Sequence, residues 1–240
     1  MNNMSLRKLA IFVEGQTEFI FIHRLVIEIA GKNNVEFQKQ VFDSKNRCPE
    51  IKRFSDTQAK YKIYLYDSCG EENILDSIKD NYIKLQEKNY DKIIGLRDIY
   101  RQDRDTYPKR KNIKSKVEFV LKQNNMSDIQ IIFSIMEIET WFLAELNHYP
   151  KIDTRLTLKC IRDNLINLEN LSDFEKDIKH PATTLEEIYF LVKKHWSKSE
   201  KGINKTIDNL DYENLYLNVR NQIPSLNQLI TELDDFFSEV

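Results

Sequence analysis

The chain has 240 residues, of which 41% are hydrophobic, and its 36 basic and 38 acidic side chains give a formal net charge of −2. A charge this close to zero argues against a protein that binds nucleic acid through a uniformly basic surface, so any such contact needs a local patch, a partner or metal ions. Three widely spaced cysteines exclude a disulfide framework, and the lack of an apolar run of ~18 residues excludes a membrane span, so we expect a soluble cytoplasmic protein without a membrane partner.

The N-terminal part alternates short apolar runs with amphipathic patterns. Short apolar runs predict buried strands, whereas apolar residues three and four positions apart predict helices. We predict strands at residues 9–13, 35–42, 61–66, 91–98 and 129–135. We predict helices at residues 19–29, 74–86, 117–122 and 137–146, the first capped by Thr17 and stopped at Gly31. This alternation favours an α/β class with a mostly parallel sheet flanked by helices.

The strand signal fades from about Tyr149 onward. Helical patterns continue there, near residues 157–168, 184–195 and 225–237. We therefore predict an α/β domain over residues 1–148, followed by a helical C-terminal lobe over residues 149–240.

Carboxylates follow the C-terminal ends of three predicted strands. Glu14 follows the first strand, Asp98 ends the fourth, and Glu137 and Glu139 follow the fifth. Ligands bind at this edge in open α/β sheets, and oxygen ligands without nearby His or Cys suit a hard cation such as Mg²⁺. Glu18, one helical turn after Glu14, can face the same cavity. Capping alone also places acidic residues at such positions, so this pattern leaves both interpretations open.

Several segments, in this order, resemble a known family. They are Glu14-Gly15-Gln16-Thr17-Glu18, Arg97-Asp98-Ile99-Tyr100, Glu137-Ile138-Glu139-Thr140-Trp141-Phe142-Leu143-Ala144, His180-Pro181-Ala182 and Trp196-Ser197-Lys198-Ser199-Glu200-Lys201-Gly202. The first is similar to the first Toprim motif of the OLD-family nucleases. The ordered set resembles small bacterial Toprim-like proteins, the domain of unknown function 4276, related to the RloB group. The resemblance runs from about Leu9 to Leu233 and implies a Toprim-like, Rossmann-like sheet.

What the resemblance implies is metal-dependent chemistry on phosphodiesters. Glu14 would ligate a metal or act as general acid or base, and Lys198 would stabilise the charge of the transition state. Asp98 would ligate the principal metal, and Glu18 and Glu139 would complete the shell of Mg²⁺ or Mn²⁺. The implied protein is a nuclease that cleaves DNA or RNA, serves in bacterial anti-phage defence and works beside an ATPase partner.

One position departs from the Toprim pattern. Many Toprim nucleases and topoisomerases carry Asp-x-Asp at the second motif, whereas this chain has Tyr100 at the second position. Asp103 or Asp105 would have to supply the missing ligand, so the number of metals stays open, and Tyr100 and Glu137 are further site candidates. The alternatives are a non-catalytic module that binds a nucleotide or a partner, and an RNA-processing nuclease resembling ribonuclease M5. A homo-oligomer also stays open.

Three other features have both a functional and a plain structural interpretation. Lys109, Arg110 and Lys111 form the densest basic stretch, which suits a nucleic-acid backbone or equally the solvated start of a helix. The segment after the third predicted strand, residues 67–70, lines the same edge or forms a turn. Trp141 lies on an apolar helix face and is predicted to be part of the core. We also expect repulsion among the clustered carboxylates to raise the pKa of at least one of them.

Overall fold

The computed structural model describes residues 6–42, 50–53, 59–100 and 113–238. Its strands are β1 (Arg7–Val13), β2 (Val35–Val41), β3 (Glu50–Arg53), β4 (Tyr61–Asp67), β5 (Lys92–Ile99) and β6 (Gln130–Ile135). The α-helices before β6 are α1 (Gln16–Ala30), α2 (Ile74–Glu87) and α3 (Ile113–Gln123). The α-helices after β6 are α4 (Glu139–Ala144), α5 (Tyr149–Ile152), α6 (Leu158–Asn164), α7 (Phe174–Asp177), α8 (Pro181–Phe190), α9 (Glu200–Ile207), α10 (Tyr212–Leu217) and α11 (Pro224–Ser238). Short 3₁₀ turns connect some of these elements.

The strands form one sheet in the order β3-β2-β4-β1-β5-β6. β1 pairs in parallel with both β4 and β5, β2 pairs in parallel with β4, and β3 runs antiparallel to β2 at one edge. The amide of Met136, directly after β6, donates a hydrogen bond of 2.9 Å to the carbonyl of Ile99, the last residue of β5, so these two strands end together. The predicted α/β class, a mostly parallel sheet flanked by helices with a helical C-terminal region, is confirmed.

All five predicted strands are present, and a sixth, β3, is additional. Its four residues include a single apolar side chain, Ile51, so no apolar run marked it. The prediction that Thr17 caps α1 is wrong: the helix begins at Gln16, after Gly15, and Thr17 is buried within its first turn. The predicted stop at Gly31 is confirmed, because Gly31 has a φ of 81° and its amide bonds to the carbonyl of Ile27.

The chain divides into two compact units. The first comprises residues 1–97, 112–133 and 231–240, and the second comprises residues 98–111 and 134–230. The boundary predicted between residues 148 and 149 therefore falls inside the second unit. Helix α4 belongs to this unit because it packs on α7 and α8 and all six of its side chains are buried.

The first unit is built on the sheet. Residues 9–13 of β1 are fully buried, and α2 packs on this strand. A methyl group added to Gly95 would lie 2.6 Å from Cδ1 of Ile131 and 3.2 Å from Cδ1 of Ile78, so a larger residue here would force the packed side chains apart. The end of α11 also packs on this unit, where Lys92 pairs with the Glu232 carboxylate at 2.6 Å.

The second unit has a core of large aromatic side chains. Trp141, Tyr149 and Tyr189 are fully buried, so the prediction of a core role for Trp141 is confirmed. The Trp141 indole N–H donates a hydrogen bond of 2.9 Å to the hydroxyl of Ser225, and that hydroxyl donates to the Glu175 carboxylate. The indole N–H of Trp141, the hydroxyl of Ser225 and one carboxylate oxygen of Glu175 are therefore hydrogen-bonded to one another, as burial requires. Across the described ranges, no helix combines the length and apolar character needed to cross a lipid bilayer.

Candidate functional site

The first unit has a candidate ligand-binding edge next to β1. Val13, the last residue of β1, lies opposite Asp67 of β4 on one side and Leu96 of β5 on the other. After β1 the chain crosses to β2, which lies on the β4 side of β1. After β5 it crosses to β6, which lies on the opposite side of the sheet. Such a reversal between adjacent parallel strands is where open α/β sheets bind their ligands. Glu14 directly follows β1 and therefore lies at this edge.

Glu18 bends back over the turn that joins β1 to α1. It is buried in the first turn of the helix, and a methyl group added to Gly15 would lie 3.5 Å from its Oε2. Gly15 itself has an extended backbone, with a φ of −163°, which any residue can adopt. The carboxylate also gains from the positive end of the α1 dipole. Glu18 is thus held at the same turn as Glu14, and that the two carboxylates face one cavity stays a prediction.

Asp67 is a further carboxylate at this edge. The Asp67 carboxylate accepts a hydrogen bond of 2.9 Å from the Cys69 amide, and the amide of Gly70 donates to the Glu14 carbonyl at 2.7 Å. Burial raises the pKa of Asp67, although the Cys69 amide opposes the shift. Residues 67–70 are therefore a turn that also lies alongside Glu14, so the two interpretations of this segment hold together. The signal that identifies Asp67 is the one used for Glu14, a carboxylate at a strand end.

In the second unit, the end of β5 lies beside the turn between β6 and α4. Asp98, the next-to-last residue of β5, is only 4% exposed. Met136 turns the chain after β6 with a φ of 72°, in the left-handed region that a residue other than glycine adopts only under local constraint. The hydrogen bond from Met136 to Ile99 fixes this turn next to the end of β5. Glu137 and Glu139 follow it directly.

Glu137, Glu139 and Lys198 meet in the structure, and we refer to them as the lysine cluster. The Lys198 ammonium lies 3.5 Å from Oε1 of Glu139 and 3.9 Å from Oε1 of Glu137. Oε2 of Glu137 accepts a hydrogen bond of 3.1 Å from the amide of Ala182, in the first turn of α8. Three of the residues named from the sequence are therefore brought together, although Lys198 is far from the two glutamates along the chain.

Burial dominates the electrostatics of the lysine cluster. Glu139 is 1% exposed, and this burial raises its pKa above the ordinary value. The Lys198 ammonium pulls the pKa down and the Glu137 carboxylate pushes it up. The expectation of a raised carboxylate pKa is confirmed, but loss of solvent is a larger cause than the repulsion from which it was argued.

The loop that carries Lys198 is closely packed on α9. The Ser199 hydroxyl accepts a hydrogen bond of 3.3 Å from the amide of Gly202 and so caps the helix, while the hydroxyls of Ser197 and Ser199 are 2.8 Å apart. A methyl group added to Gly202 would lie 2.4 Å from the carbonyl oxygen of Ser197. The backbone next to Lys198 is therefore held at a fixed position, whereas the Lys198 side chain is 57% exposed.

Comparison with known proteins places most of this chain in one family. Residues 13–234 match the family described as Domain of unknown function (DUF4276). The chain belongs to the DUF4276 family. No curated protein and no solved structure matches it. The DUF4276 match includes every residue of the lysine cluster and also Glu14, Glu18, Asp67 and Asp98.

The DUF4276 match includes residues of both units. Glu14 and Glu18 belong to the first, and Asp98, Glu137, Glu139 and Lys198 belong to the second. The convergence of Glu14, Glu18, Asp98 and Glu139 in one cleft therefore stays a prediction. Tyr100, just after β5, is half-buried. Some of the predicted residues lie outside the described ranges: Asp103, Asp105, Lys109, Arg110 and Lys111.

The lysine cluster suits a divalent cation in donor type and charge. Within the described part of the chain, no group of three or more His, Cys, Asp or Glu side chains is arranged to hold a metal. Mg²⁺ does not require one, because it keeps several waters and is bound through one or two carboxylates together with substrate phosphates. Neither carboxylate oxygen of Glu139 has a hydrogen-bond partner of ordinary geometry among the described residues. Glu139 and Glu137 thus offer hard oxygen ligands that already face a positive charge.

Proposed function

We propose that this DUF4276 protein is a Toprim-type nuclease that uses Mg²⁺ or Mn²⁺ to hydrolyse phosphodiester bonds of DNA or RNA. The observation that carries the proposal is the Lys198 ammonium 3.5 Å from the buried carboxylate of Glu139. The resemblance to Toprim proteins assigns metal binding to this glutamate and charge stabilisation to this lysine. A contact between residues so far apart along the chain supports their acting together.

The chemistry divides among the residues by charge. A divalent cation at Glu139 would activate water and stabilise the leaving oxygen. The exposed Lys198 ammonium offsets the negative charge that develops on the phosphoryl oxygens, as a compact point charge does well. Glu137 holds its orientation through the Ala182 amide and keeps a carboxylate oxygen facing the lysine. Glu14 is proposed to ligate a metal or to act as general acid or base, and Asp98 is proposed to ligate the principal metal.

The biological setting is proposed from the same resemblance. Toprim proteins of this size resemble effectors of bacterial anti-phage defence that act with an ATPase partner. The net charge of −2 agrees with a subunit that binds nucleic acid together with its partner. Within this chain, Lys109, Arg110 and Lys111 are the residues proposed to contact the backbone of the nucleic acid.

A second candidate function is a non-catalytic module that binds a nucleotide or a partner. Tyr100 favours it, because it stands where many Toprim nucleases carry a second aspartate. A site with fewer carboxylates still attracts a cation and a phosphate group, but it holds a second metal less well. The two functions differ in whether bound nucleic acid is cleaved.

Replacement of Glu139 by glutamine tests the nuclease proposal. Glu139→Gln keeps the shape of the side chain and removes its charge, so we expect cleavage of mixed DNA and RNA with Mg²⁺ or Mn²⁺ to fall at least about a hundredfold. The melting temperature should not fall, because a buried charge has been removed.

Glu187→Gln, at an exposed position of α8, is the matched control and should retain the wild-type rate. Wild-type protein that binds nucleic acid or nucleotides without cleaving them would instead establish the binding module. Equal cleavage by wild type and Glu139→Gln would remove Glu139 from the site.

A further inference from the structure

The lysine cluster holds a cation that belongs to the chain itself. Glu139 is almost completely withdrawn from solvent, and an ionised carboxylate in such a place requires a positive charge or strong hydrogen bonds. The ammonium of Lys198 supplies that charge from 3.5 Å, and it also lies 3.9 Å from Glu137. Lys198 therefore lies where a divalent cation would find its two carboxylate ligands.

The Lys198 ammonium keeps access to solvent while it is paired with the two glutamates. Neither distance is as short as the 2.7–2.9 Å of a strong charge-assisted hydrogen bond. The side chain is 57% exposed, so the ammonium can turn into solvent without opening the core. The Ser199 cap and the close approach of Gly202 to Ser197 hold the backbone, so a change in the position of the ammonium comes from rotation of the side chain.

The Lys198 ammonium and a divalent cation repel each other if both contact these carboxylates. Charges of the same sign a few ångströms apart repel each other, even at the effective dielectric of a protein surface. Glu137 is also committed on its other side to the Ala182 amide, so it cannot turn away to accommodate a second cation without losing that bond. Arrival of the metal therefore favours departure of the ammonium.

We infer that Lys198 is the resident counter-ion of Glu139 in the metal-free protein and that a divalent cation displaces it toward the anionic substrate. The inference rests on the proposed function and adds regulation to it. The ammonium becomes available to a phosphate group only when the metal is in place, so the metal-free protein keeps its lysine paired. A single exchange thus assembles both positive charges that phosphodiester cleavage needs.

Binding of Mn²⁺ to the full-length protein tests the exchange without any substrate. Calorimetric titration should show that Lys198→Met binds Mn²⁺ at least about tenfold more tightly than wild type, because the competitor has been removed. Metal-free Lys198→Met should melt at a lower temperature, since Glu139 is left buried without its counter-ion. Saturating Mn²⁺ should bring the two melting temperatures together.

Lys201→Met removes the same charge three residues away, at an exposed position, and should change neither the Mn²⁺ affinity nor the melting temperature. Lys198→Gln keeps a polar side chain and gives the same comparison if Lys198→Met folds poorly. Equal Mn²⁺ affinity in wild type and the Lys198 variants, with a loss of stability that persists in Mn²⁺, would overturn the exchange. It would leave the nuclease proposal standing if nucleic acid is still cleaved. Absence of Mn²⁺ binding in all variants would also overturn the exchange, and the cleavage assay would then decide the nuclease proposal separately.

Discussion

Gly202 is the residue on which the position of Lys198 most directly depends. It lies in the first turn of α9, where an added methyl group would meet the carbonyl oxygen and the hydroxyl of Ser197 at 2.4 and 2.6 Å. Alanine normally stabilises a helix relative to glycine by about 1 kcal/mol. Here the added atom meets backbone, which cannot rotate away as a side chain does, so the clash outweighs the gain in helix propensity.

Gly202→Ala should therefore lower the free energy of unfolding by about 1–3 kcal/mol, the usual cost of overpacking. It should also reduce nuclease turnover, because the loop that carries Lys198 must shift to relieve the contact. Urea unfolding and cleavage rates measure the two effects. Asn204→Ala, in the same helix, is the control and should leave turnover unchanged. A Gly202→Ala protein as stable and active as wild type would show that the loop yields without cost.

Glu145, directly after α4, links the end of that helix to the start of α10 through its carboxylate. It is fully buried, and its carboxylate accepts hydrogen bonds from the amides of Asn147 and Asp211 at 2.9 and 3.1 Å and from the side chain of Asn214 at 2.9 Å. Burial opposes ionisation, but these bonds and the His148 side chain outweigh it and lower the pKa of Glu145 below its usual 4.5. The charged form therefore stabilises the fold.

Glu145→Gln should reduce the free energy of unfolding at pH 7 by about 1–3 kcal/mol, because some donors lose a charged acceptor. A lowered pKa contributes stability that is complete above the unfolded pKa of about 4.5 and is lost as the pH falls through the folded pKa. The difference between wild type and Glu145→Gln should therefore be constant near neutrality and shrink below about pH 4.5. Chemical unfolding across this pH range measures it. A difference independent of pH would mean that Glu145 does not titrate with folding.

Elements were predictable where local pattern determines them. The buried strands β1, β4 and β5 stand out as apolar runs, whereas Glu50–Arg53 pairs as β3 although it is mostly polar. The predicted helix over residues 184–195 ends sooner, as α8, and Lys193 beyond it has a φ of 60°. The contact between Glu139 and Lys198 cannot be read from spacing, because it depends on how α8 and α9 return to α4. Only the resemblance placed that lysine at the site.

At the scale of the whole molecule, the carboxylates at the strand ends carry the energetic cost of the proposed function. Asp98 and Glu139 are buried, and burial of acidic groups destabilises a fold unless a cation or hydrogen bonds compensate. A ligand that binds only the folded state recovers part of this cost. Stability and metal binding are therefore linked in this protein, and thermal unfolding reports on both.

Mg²⁺ at a concentration one hundred times its Kd should stabilise the folded protein by about 2.7 kcal/mol, which corresponds to a rise in melting temperature of roughly 5–10 °C for a chain of this size. Asp98→Asn should lose most of this rise and yet be no less stable than wild type without metal, because the substitution removes a buried charge. Asp76→Asn, at an exposed position of α2, is the matched control and should respond to Mg²⁺ as wild type does. If Asp98→Asn also keeps the full rise, Asp98 is not a ligand.

Glu14→Ala should also lose the rise in melting temperature if, as the sequence predicts, Glu14 serves the same metal. An unchanged response to Mg²⁺ in that variant would restrict the metal to the residues of the second unit.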